Sequence, residues 1–271
     1  MRNKTIGVFD SGFGGLEILR KIVKKLPRYN YLYLGDNAKA PYGNRSQKEI
    51  YKFTQKAAEF LFNKNCQLVI LACNTTSSKA LRKIQKHYLP KYYPDKKVLG
   101  VIIPACQQAI ITTKNNKIGV LGTKSTVSSK AFERELKKLN SKAKVFQKAC
   151  PLLVPIVEAG EENSKNSSMV IKKYLAQLTN KNIDTLILGC THYGILQSKI
   201  EKVVGKKITV VSEGKVVAEK LKDYLKRHPE IEKSLIKNHK AKFFTTDSTE
   251  KFKALGSRFY GKPIKPQKIK L

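Results

Sequence analysis

The stretch IGVFDSGFGGLEILRKIV, residues 6–23, predicts a β-strand, a glycine-rich loop and an amphipathic helix in direct succession. Its first four residues form a short apolar run, and the apolar residues after the glycines recur at helical spacing. The same alternation of apolar runs and amphipathic stretches continues along most of the 271 residues. This pattern is typical of an α/β protein with mostly parallel sheets. The apolar run at residues 98–103 predicts one of the strands, and Ser46 with Glu49 predicts a capping box at the start of a helix. After a predicted helix over residues 216–225 we expect a basic, irregular tail, to which residues 243–246 could add a last strand.

The pattern begins again in the second half of the chain. The segment IGVL at residues 118–121 repeats IGVF at residues 6–9, and ILGCTH at 187–192 repeats ILACNT at 70–75. Apolar strands that end in a small residue are common. The rare cysteine at the same point of both later segments nevertheless favours a duplication. We therefore predict that the chain consists of two related halves with the same α/β pattern.

The composition is strongly basic, with 54 lysines and arginines, 20 acidic residues and a formal net charge of +34. Such a charge can indicate nucleic-acid or acidic-membrane binding. We favour a simpler explanation of the charge, in which lysines are spread over solvated helix faces. Lysines occur in nearly every segment, and no nucleic-acid-binding motif is visible. Non-specific polyanion binding at low salt is still expected. No apolar run reaches the roughly 18 residues of a membrane span, and no signal peptide is visible, so we expect no membrane association and a cytoplasmic location.

The five cysteines are few, odd in number and widely spaced, which argues against a disulfide scaffold. No Cys-x-x-Cys pair is present, which disfavours a redox dithiol protein. The four histidines do not group with cysteines at zinc-like spacing. We therefore expect neither a bound metal nor a cofactor.

Cys73 and Cys190 each follow an apolar strand and precede a predicted helix. Ligands of open α/β sheets bind outside the carboxyl ends of the strands, and a helix N-terminus lowers the pKa of a thiol. A lone cysteine here would more often be a buried core residue, which is our interpretation of Cys66, Cys106 and Cys150. The matched positions of Cys73 and Cys190 favour function.

Three further side chains are candidates, each with a plainer alternative. Asp10 ends the first strand and could orient a base, while the glycines after it suit a phosphate, a carboxylate or simply a turn. Glu158 interrupts an apolar stretch, so it either is partly buried with a shifted pKa or points to solvent. His192 could assist Cys190 or contact a carboxylate, or could be a structural histidine.

Six segments together resemble glutamate racemases, within the aspartate/glutamate racemase superfamily. They run in family order across nearly the whole chain: IGVFDSGFGGL (6–16), YLGDNAKAPYGNRS (33–46), ILACNTTS (70–77), GVLGT (119–123), CPLLVPIVEAG (150–160) and ILGCTHYG (187–194). The GCTH sequence, rather than GCTE, points to the glutamate branch.

The resemblance implies a cofactor-independent racemase of glutamate that supplies D-glutamate for peptidoglycan, and we expect a homodimer. It implies two similar α/β domains with mostly parallel sheets, related by pseudo-symmetry, with the active site between them. The first would comprise residues 1–101 plus 211–271 and the second residues 102–210. Cys73 and Cys190 would be the two bases, assisted by Asp10 and His192 on opposite sides, with Glu158 supporting.

The same resemblance implies a set of substrate-binding residues that Thr123 or Thr126 could join. These residues are Asp10, Ser11, Tyr42, Gly43, Asn74, Thr75, Thr191 and His192. The chain departs from the family at Gly194, where proline is usual, and at residues 211–214, where VSEG replaces a sequence of the Ile-Asp-Ser-Gly type.

Two other functions stay open at this point. An aspartate or hydantoin racemase would use the same two thiols on another substrate. A polyanion-binding protein on a racemase scaffold would explain the charge of +34, although the presence of both cysteines argues against it.

Overall fold

The computed structural model describes residues 3–271, whose strands form two parallel sheets. The strands are β1 (Thr5–Asp10), β2 (Tyr31–Gly35), β3 (Cys66–Leu71), β4 (Lys97–Gly100), β5 (Lys117–Gly122), β6 (Lys144–Ala149), β7 (Thr185–Gly189), β8 (Thr209–Ser212), β9 (Ala241–Thr245) and β10 (Pro266–Lys268). The first sheet has the order β10-β9-β2-β1-β3-β4, and the second has the order β6-β5-β7-β8. Every strand pair within residues 3–271 is parallel.

Helices connect these strands. They are α1 (Gly15–Lys25), α2 (Gln47–Asn63), α3 (Asn74–Lys79), α4 (Leu81–Lys83), α5 (Leu89–Tyr92), α6 (Ile102–Thr112), α7 (Lys124–Ser128), α8 (Ala131–Leu139), α9 (Leu153–Glu158), α10 (Lys165–Thr179), α11 (Gln197–Val204), α12 (Glu213–Arg227), α13 (Pro229–Ser234) and α14 (Thr249–Tyr260). Short 3₁₀ helices cover Asn37–Lys39, Tyr42–Asn44 and Thr191–Gly194, and a π-helical turn covers Ile84–Tyr88. None of the helices in the described part of the chain is long and apolar enough to cross a membrane.

The two sheets repeat one topology. The order β2-β1-β3-β4 in the first sheet corresponds to β6-β5-β7-β8 in the second. Both sets come from a strand-helix alternation in the same chain order, so β1 matches β5 and β3 matches β7. The predicted α/β class with two similar, mostly parallel sheets is therefore confirmed.

The first sheet is covered on both faces because its strands alternate two apolar sets of side chains. Ile6 and Val8 of β1 pack in one core with α1, α12 and α14, while Phe9 packs in a second core with α2. The second sheet is covered in the same way by α10 on one face and by α6 and α8 on the other. This burial holds the carboxyl ends of the strands in fixed positions.

The predicted capping box at the start of α2 is confirmed. The hydroxyl of Ser46 accepts a hydrogen bond from the backbone N–H of Glu49 at 3.2 Å, and the Glu49 carboxylate accepts one from the backbone N–H of Ser46 at 3.0 Å. Two N–H groups that the first turn would otherwise leave without partners are thereby satisfied.

Two predictions about secondary structure are wrong in part. The strand expected over residues 98–103 ends at Gly100, because Ile102 begins α6 and Pro104 lies in the first helical turn, where its missing N–H is not needed. The tail after residue 225, expected to be irregular apart from a last strand over residues 243–246, folds into α13, β9, α14 and β10, and the expected last strand is confirmed as β9. Its strands extend the first sheet beside β2, which buries Phe243 and Phe244.

The boundaries of the two predicted domains stay a prediction. The first sheet uses residues from 5–100 and 241–268, and the second uses residues from 117–212. Residues 1 and 2 of the first predicted domain lie outside the described residues.

Candidate active site

One cavity of about 610 Å³ lies where the carboxyl ends of strands from both sheets meet. Its walls come from the segments that follow β1, β2, β3 and β9 of the first sheet and β5, β6 and β7 of the second. Ten of the predicted site residues line it: Ser11, Tyr42, Gly43, Cys73, Asn74, Thr75, Glu158, Cys190, Thr191 and His192. The two halves of the chain therefore contribute to a single site, as parallel sheets with ligands at their carboxyl ends allow.

Cys73 lies directly after β3 and immediately before α3. Its sulfur is 3.3 Å from the hydroxyl oxygen of Ser11, and the backbone N–H groups of Thr75 and Thr76 also face it. Burial raises the pKa of the Cys73 thiol, and the nearby carboxyl group of Asp10 raises it further. The Ser11 and backbone donors act in the opposite direction, because they stabilise the thiolate.

Cys190 occupies the equivalent place after β7, before the 3₁₀ turn Thr191–Gly194 rather than the α-helix that the sequence predicted. Burial raises the pKa of its thiol well above the usual value, and the backbone N–H of His192 opposes that shift. The sulfur of Cys190 lies 4.0 Å from Nδ1 of His192. Each thiol thus has its own polar partners.

Glu158 fixes the proton arrangement on His192. Nε2 of the imidazole is 3.0 Å from the Glu158 carboxylate. Burial alone would raise the pKa of Glu158, but the hydrogen bond and charge of His192 hold it below the usual value. A charged carboxylate only accepts hydrogen bonds, so Nε2 carries the proton and Nδ1 is free to exchange a proton with Cys190.

Asp10 lies behind the cavity wall and is 1% exposed. One carboxyl oxygen accepts a hydrogen bond from the backbone N–H of Gly12 at 2.8 Å, and the other accepts one from the Thr191 hydroxyl at 3.4 Å. Burial raises the pKa of Asp10, against the charge of His192. Asp10 therefore joins the glycine loop of the first sheet to the Cys190 loop of the second.

Gly14 makes this close approach possible. A Cβ atom at this position would lie 2.2 Å from the Thr191 hydroxyl and 2.7 Å from Nδ1 of His192. Any larger side chain would separate the two loops. The sequence suggested a ligand contact or a turn for this glycine. In the structure, its missing side chain leaves room for Thr191 and His192 of the opposite half of the site.

Tyr42 and Gly43 line the cavity beside the first sheet. The hydroxyl of Tyr42 donates to the buried carboxylate of Asp36 at 2.6 Å, and Asp36 also accepts from Thr246 at 2.7 Å. The tyrosine is therefore held rigidly, with its hydroxyl directed to Asp36. Thr123 lies across from Thr75, with 3.4 Å between their hydroxyl oxygens, which connects the two halves a second time.

Several residues of the site were missed by the sequence-based reasoning. Lys124, Lys251, Asn37 and Asp247 line the cavity, and each follows the carboxyl end of a strand by a few residues. That position is the one signal that could have identified them. The carboxyl group of Glu213 accepts a hydrogen bond from Asn74 at 2.7 Å, across 139 residues of chain, and no local pattern indicates that contact.

The departure at Gly194 has a packing explanation. A Cβ atom at residue 194 would lie 3.0 Å from a carboxyl oxygen of Glu17, and one at residue 214 would lie 2.6 Å from the same atom. Glu17, on α1, is 2% exposed and fills the space between these two glycines. Proline, which has a Cβ, would crowd this carboxyl group.

Chemically, the arrangement suits proton transfer at a carbon atom. Two thiols from pseudo-symmetric strands line one cavity, each beside its own donors, and hydroxyl, amide and backbone groups surround them. Among residues 3–271, no group of three or more His, Cys, Asp or Glu side chains is arranged to hold a metal ion.

Comparison with known proteins gives a consistent assignment. A model of the Asp/Glu/hydantoin racemase family matches residues 6–221. A glutamate racemase from Oceanobacillus iheyensis is 39% identical over 252 residues, which are 92% of this chain and 89% of the relative. A crystal structure of a glutamate racemase isoform from Bacillus anthracis matches with a TM-score of 0.91 and 36% identity, over 100% of this chain and 99% of that one. A crystal structure of glutamate racemase from Francisella tularensis in complex with D-glutamate matches with a TM-score of 0.88 and 32% identity, over 100% of this chain and 98% of that one. The chain therefore belongs to the Asp/Glu/hydantoin racemase family of isomerases.

Proposed function

We propose that this protein interconverts L- and D-glutamate by proton transfer between Cys73, Cys190 and the substrate, without a cofactor. The observation that carries the proposal is the pair of thiols at the ends of β3 and β7, both lining one cavity. The choice of glutamate is supported by the names of the relatives and by the D-glutamate complex of the Francisella tularensis protein. The D-glutamate product would supply peptidoglycan synthesis.

Two bases solve the stereochemical problem. Inversion requires that a proton leave one face of the Cα atom and that another reach the opposite face. A thiolate removes the first proton, and the thiol across the cavity donates the second. After one turnover the two sulfur atoms have exchanged protonation states, so the reverse reaction can begin at once.

The raised pKa values of both thiols have a consequence for this cycle. Burial favours the neutral form of each cysteine, so one proton must leave before reaction. The substrate's ammonium group would favour a thiolate in the same cavity. At Cys190, Nδ1 of His192 is placed to accept the proton while Glu158 stabilises the imidazolium.

The weak acidity of the Cα proton requires stabilisation of the developing negative charge. Hydrogen-bond donors oriented in advance towards the α-carboxylate supply it in a site that excludes water. Ser11, Asn74, Thr75 and Thr191 are suitable donors that line the cavity from both halves. We infer that these donors hold the carboxylates of the substrate. Tyr42 and Gly43 would form the wall of the substrate site on the side of the first sheet. Asp10, behind the cavity wall, would position this site through its hydrogen bonds with Thr191 and Gly12.

We expect racemase activity without any added cofactor. Circular dichroism of L-glutamate with the purified protein should decay to zero, at the same rate with a chelator or a carbonyl reagent, because no step needs a metal ion or an aldehyde. A thiol alkylator should abolish the decay. Parallel assays with aspartate and a hydantoin identify the substrate. If the chelator inhibited the protein and added metal restored activity, the cofactor-free mechanism would be contradicted. If aspartate reacted faster than glutamate, the assignment of glutamate as the substrate would be contradicted.

The basic surface is expected to make activity salt-dependent. Glutamate has a net charge of −1 at neutral pH, so the protein charge of +34 should attract it. Salt screens this attraction over about 10 Å at 0.1 M, and kcat/KM should fall several-fold between low and high salt. A salt-independent kcat/KM would show that the charge does not contribute to catalysis.

A matched pair of variants tests which part of the basic surface causes the salt dependence of kcat/KM. Lys251 lines the cavity, whereas Lys226 lies in the last turn of α12, away from it. Lys251→Gln should weaken the salt dependence more than Lys226→Gln, although both remove one charge.

The homodimer, the cytoplasmic location and polyanion binding at low salt stay predictions.

A further inference from the structure

Glu213 is a buried acid beside the candidate active site. It is the first residue of α12, directly after β8, and is 3% exposed. Its Oε2 atom accepts a hydrogen bond from Nδ2 of Asn74 at 2.7 Å. Asn74 follows Cys73 directly and lines the cavity. The contact therefore links an acid outside the cavity wall to a residue next to one of the two thiols.

Two buried atoms of this pair have no hydrogen-bond partner among the residues that the structure describes. They are Oε1 of Glu213 and Oδ1 of Asn74. A buried polar atom without a hydrogen-bond partner lowers the stability of the fold, so two such atoms in the same pair of side chains require an explanation. The second oxygen of the acid and the oxygen of the amide are both acceptors while Glu213 is charged, and two acceptors cannot bond to each other.

The surroundings of Glu213 favour its neutral form. Burial raises the pKa of this carboxyl group well above its usual value, and the hydrogen bond from Asn74 only partly opposes the shift. The charged groups that act on it are two further acids, Glu17 and Asp10, and both raise the pKa further. Burial and these two acids therefore both favour the protonated, neutral form of the carboxyl group.

We propose that Glu213 is a positioning residue that acts through Asn74 and holds the Asn74 amide in place beside Cys73. This inference rests on the proposed function, because Asn74 is one of the residues assigned there to the substrate. Glu213 itself touches neither the cavity nor the thiols, so it is not a catalytic residue.

The chemistry of a neutral acid fits the two orphaned atoms. A protonated carboxyl group and a primary amide form two parallel hydrogen bonds, one in each direction. In one, Nδ2 of Asn74 donates to Oε2, as observed. In the other, a proton on Oε1 would be donated to Oδ1 of Asn74, which would give a partner to each of the two atoms that otherwise lack one. The amide can then neither rotate nor flip, and the second N–H of Nδ2 stays free for the substrate.

The test is a double-mutant cycle on glutamate racemisation by the full chain. Glu213→Met keeps most of the volume and removes both hydrogen bonds, so kcat/KM should fall about 10-fold, mainly through kcat. Asn74→Ala should cost at least as much. In the Asn74→Ala background, Glu213→Met should cost less than about 2-fold, because the group through which Glu213 acts is already gone.

Conservative replacement separates positioning from simple packing. Glu213→Gln retains one donor and one acceptor without a charge, so it should keep kcat/KM within about 3-fold of wild type across the pH profile. Asp184→Asn is the control: Asp184 accepts a hydrogen bond from Thr113 at 2.6 Å just before β7, at the opposite end of that strand from Cys190, and its replacement should leave kcat/KM unchanged. Thermal unfolding of each variant shows whether it is folded at the assay temperature, and Glu213→Ala replaces Glu213→Met if it is not.

The outcomes are distinct. Non-additive losses with rescue by glutamine support the positioning role. Additive losses, or a Glu213→Gln variant as impaired as Glu213→Met, would overturn it while leaving the racemase function intact. A wild-type protein inactive on glutamate would refute the proposed function itself, and the positioning role with it.

Discussion

Replacing either Cys73 or Cys190 by serine is expected to reduce glutamate racemisation by about 10³-fold or more, since positioned acid–base groups contribute roughly 10²–10⁴-fold each. A serine hydroxyl is a far weaker acid than a thiol, and it cannot become an anion at neutral pH in a buried site. Inversion needs a base on one face and an acid on the other, so loss of one thiol stops both directions. Circular dichroism measures the loss from either enantiomer.

A substrate analogue with a good leaving group on the β-carbon resolves the two thiols. After a single proton is removed from Cα, the leaving group departs with its electron pair and an enamine forms, so only one base is needed. The family resemblance implies that Cys190 would remove the proton of the L form and Cys73 that of the D form. Cys73→Ser should therefore still consume the L analogue, and Cys190→Ser the D analogue.

Cys106→Ser is the control for these substitutions. Cys106 is fully buried in α6, within the core that covers the second sheet, and takes no part in the cavity. Its replacement should leave kcat/KM within about 2-fold while lowering thermal stability, because a hydroxyl is buried among apolar neighbours. The two-thiol assignment would be wrong if each active-site variant consumed both analogues equally, or if either racemised glutamate at the wild-type rate.

Replacing His192 by asparagine is expected to lower kcat/KM for glutamate by about 10²-fold, the lower range for a positioned acid–base group. Asparagine keeps a polar group between Cys190 and Glu158 but cannot take up a proton. The fall must be equal in both directions, since two mirror-image forms have an equilibrium constant of one in water. Rates measured from L- and from D-glutamate check both statements.

The elimination reaction shows which thiol His192 serves. The imidazole lies 4.0 Å from the sulfur of Cys190, while Ser11 and backbone N–H groups contact Cys73. His192→Asn should therefore slow elimination from the L analogue and leave the D analogue nearly unaffected. Glu158→Gln should show the same preference with a smaller loss, and His87→Asn, in the π-helical turn outside the cavity, should show none. Equal slowing of both analogues would assign His192 to binding rather than to Cys190.

Much of the architecture could be predicted from the sequence, because it depends on local patterns. The apolar run before Asp10 and the helical spacing after Gly15 give β1 and α1 within one or two residues of their ends. The recurrence of cysteine after two similar strands predicted the duplicated topology, and the carboxyl-end rule for parallel sheets placed both thiols in one site. Periodicity failed at residues 98–103, where an apolar run suited a strand or a helix equally and Pro104 marked the helix start.

The sequence by itself thus determined many of the strands and helices, their repetition and the positions of the two thiols, since side-chain periodicity and strand ends depend on neighbouring residues. Tertiary structure decided which distant groups meet. Gly14 admits Thr191 from the other half, Asp10 lies behind the wall rather than in it, and Glu213 reaches Asn74 across 139 residues. Such contacts depend on how two sheets and their helices pack, and packing sums many weak interactions that no short segment encodes.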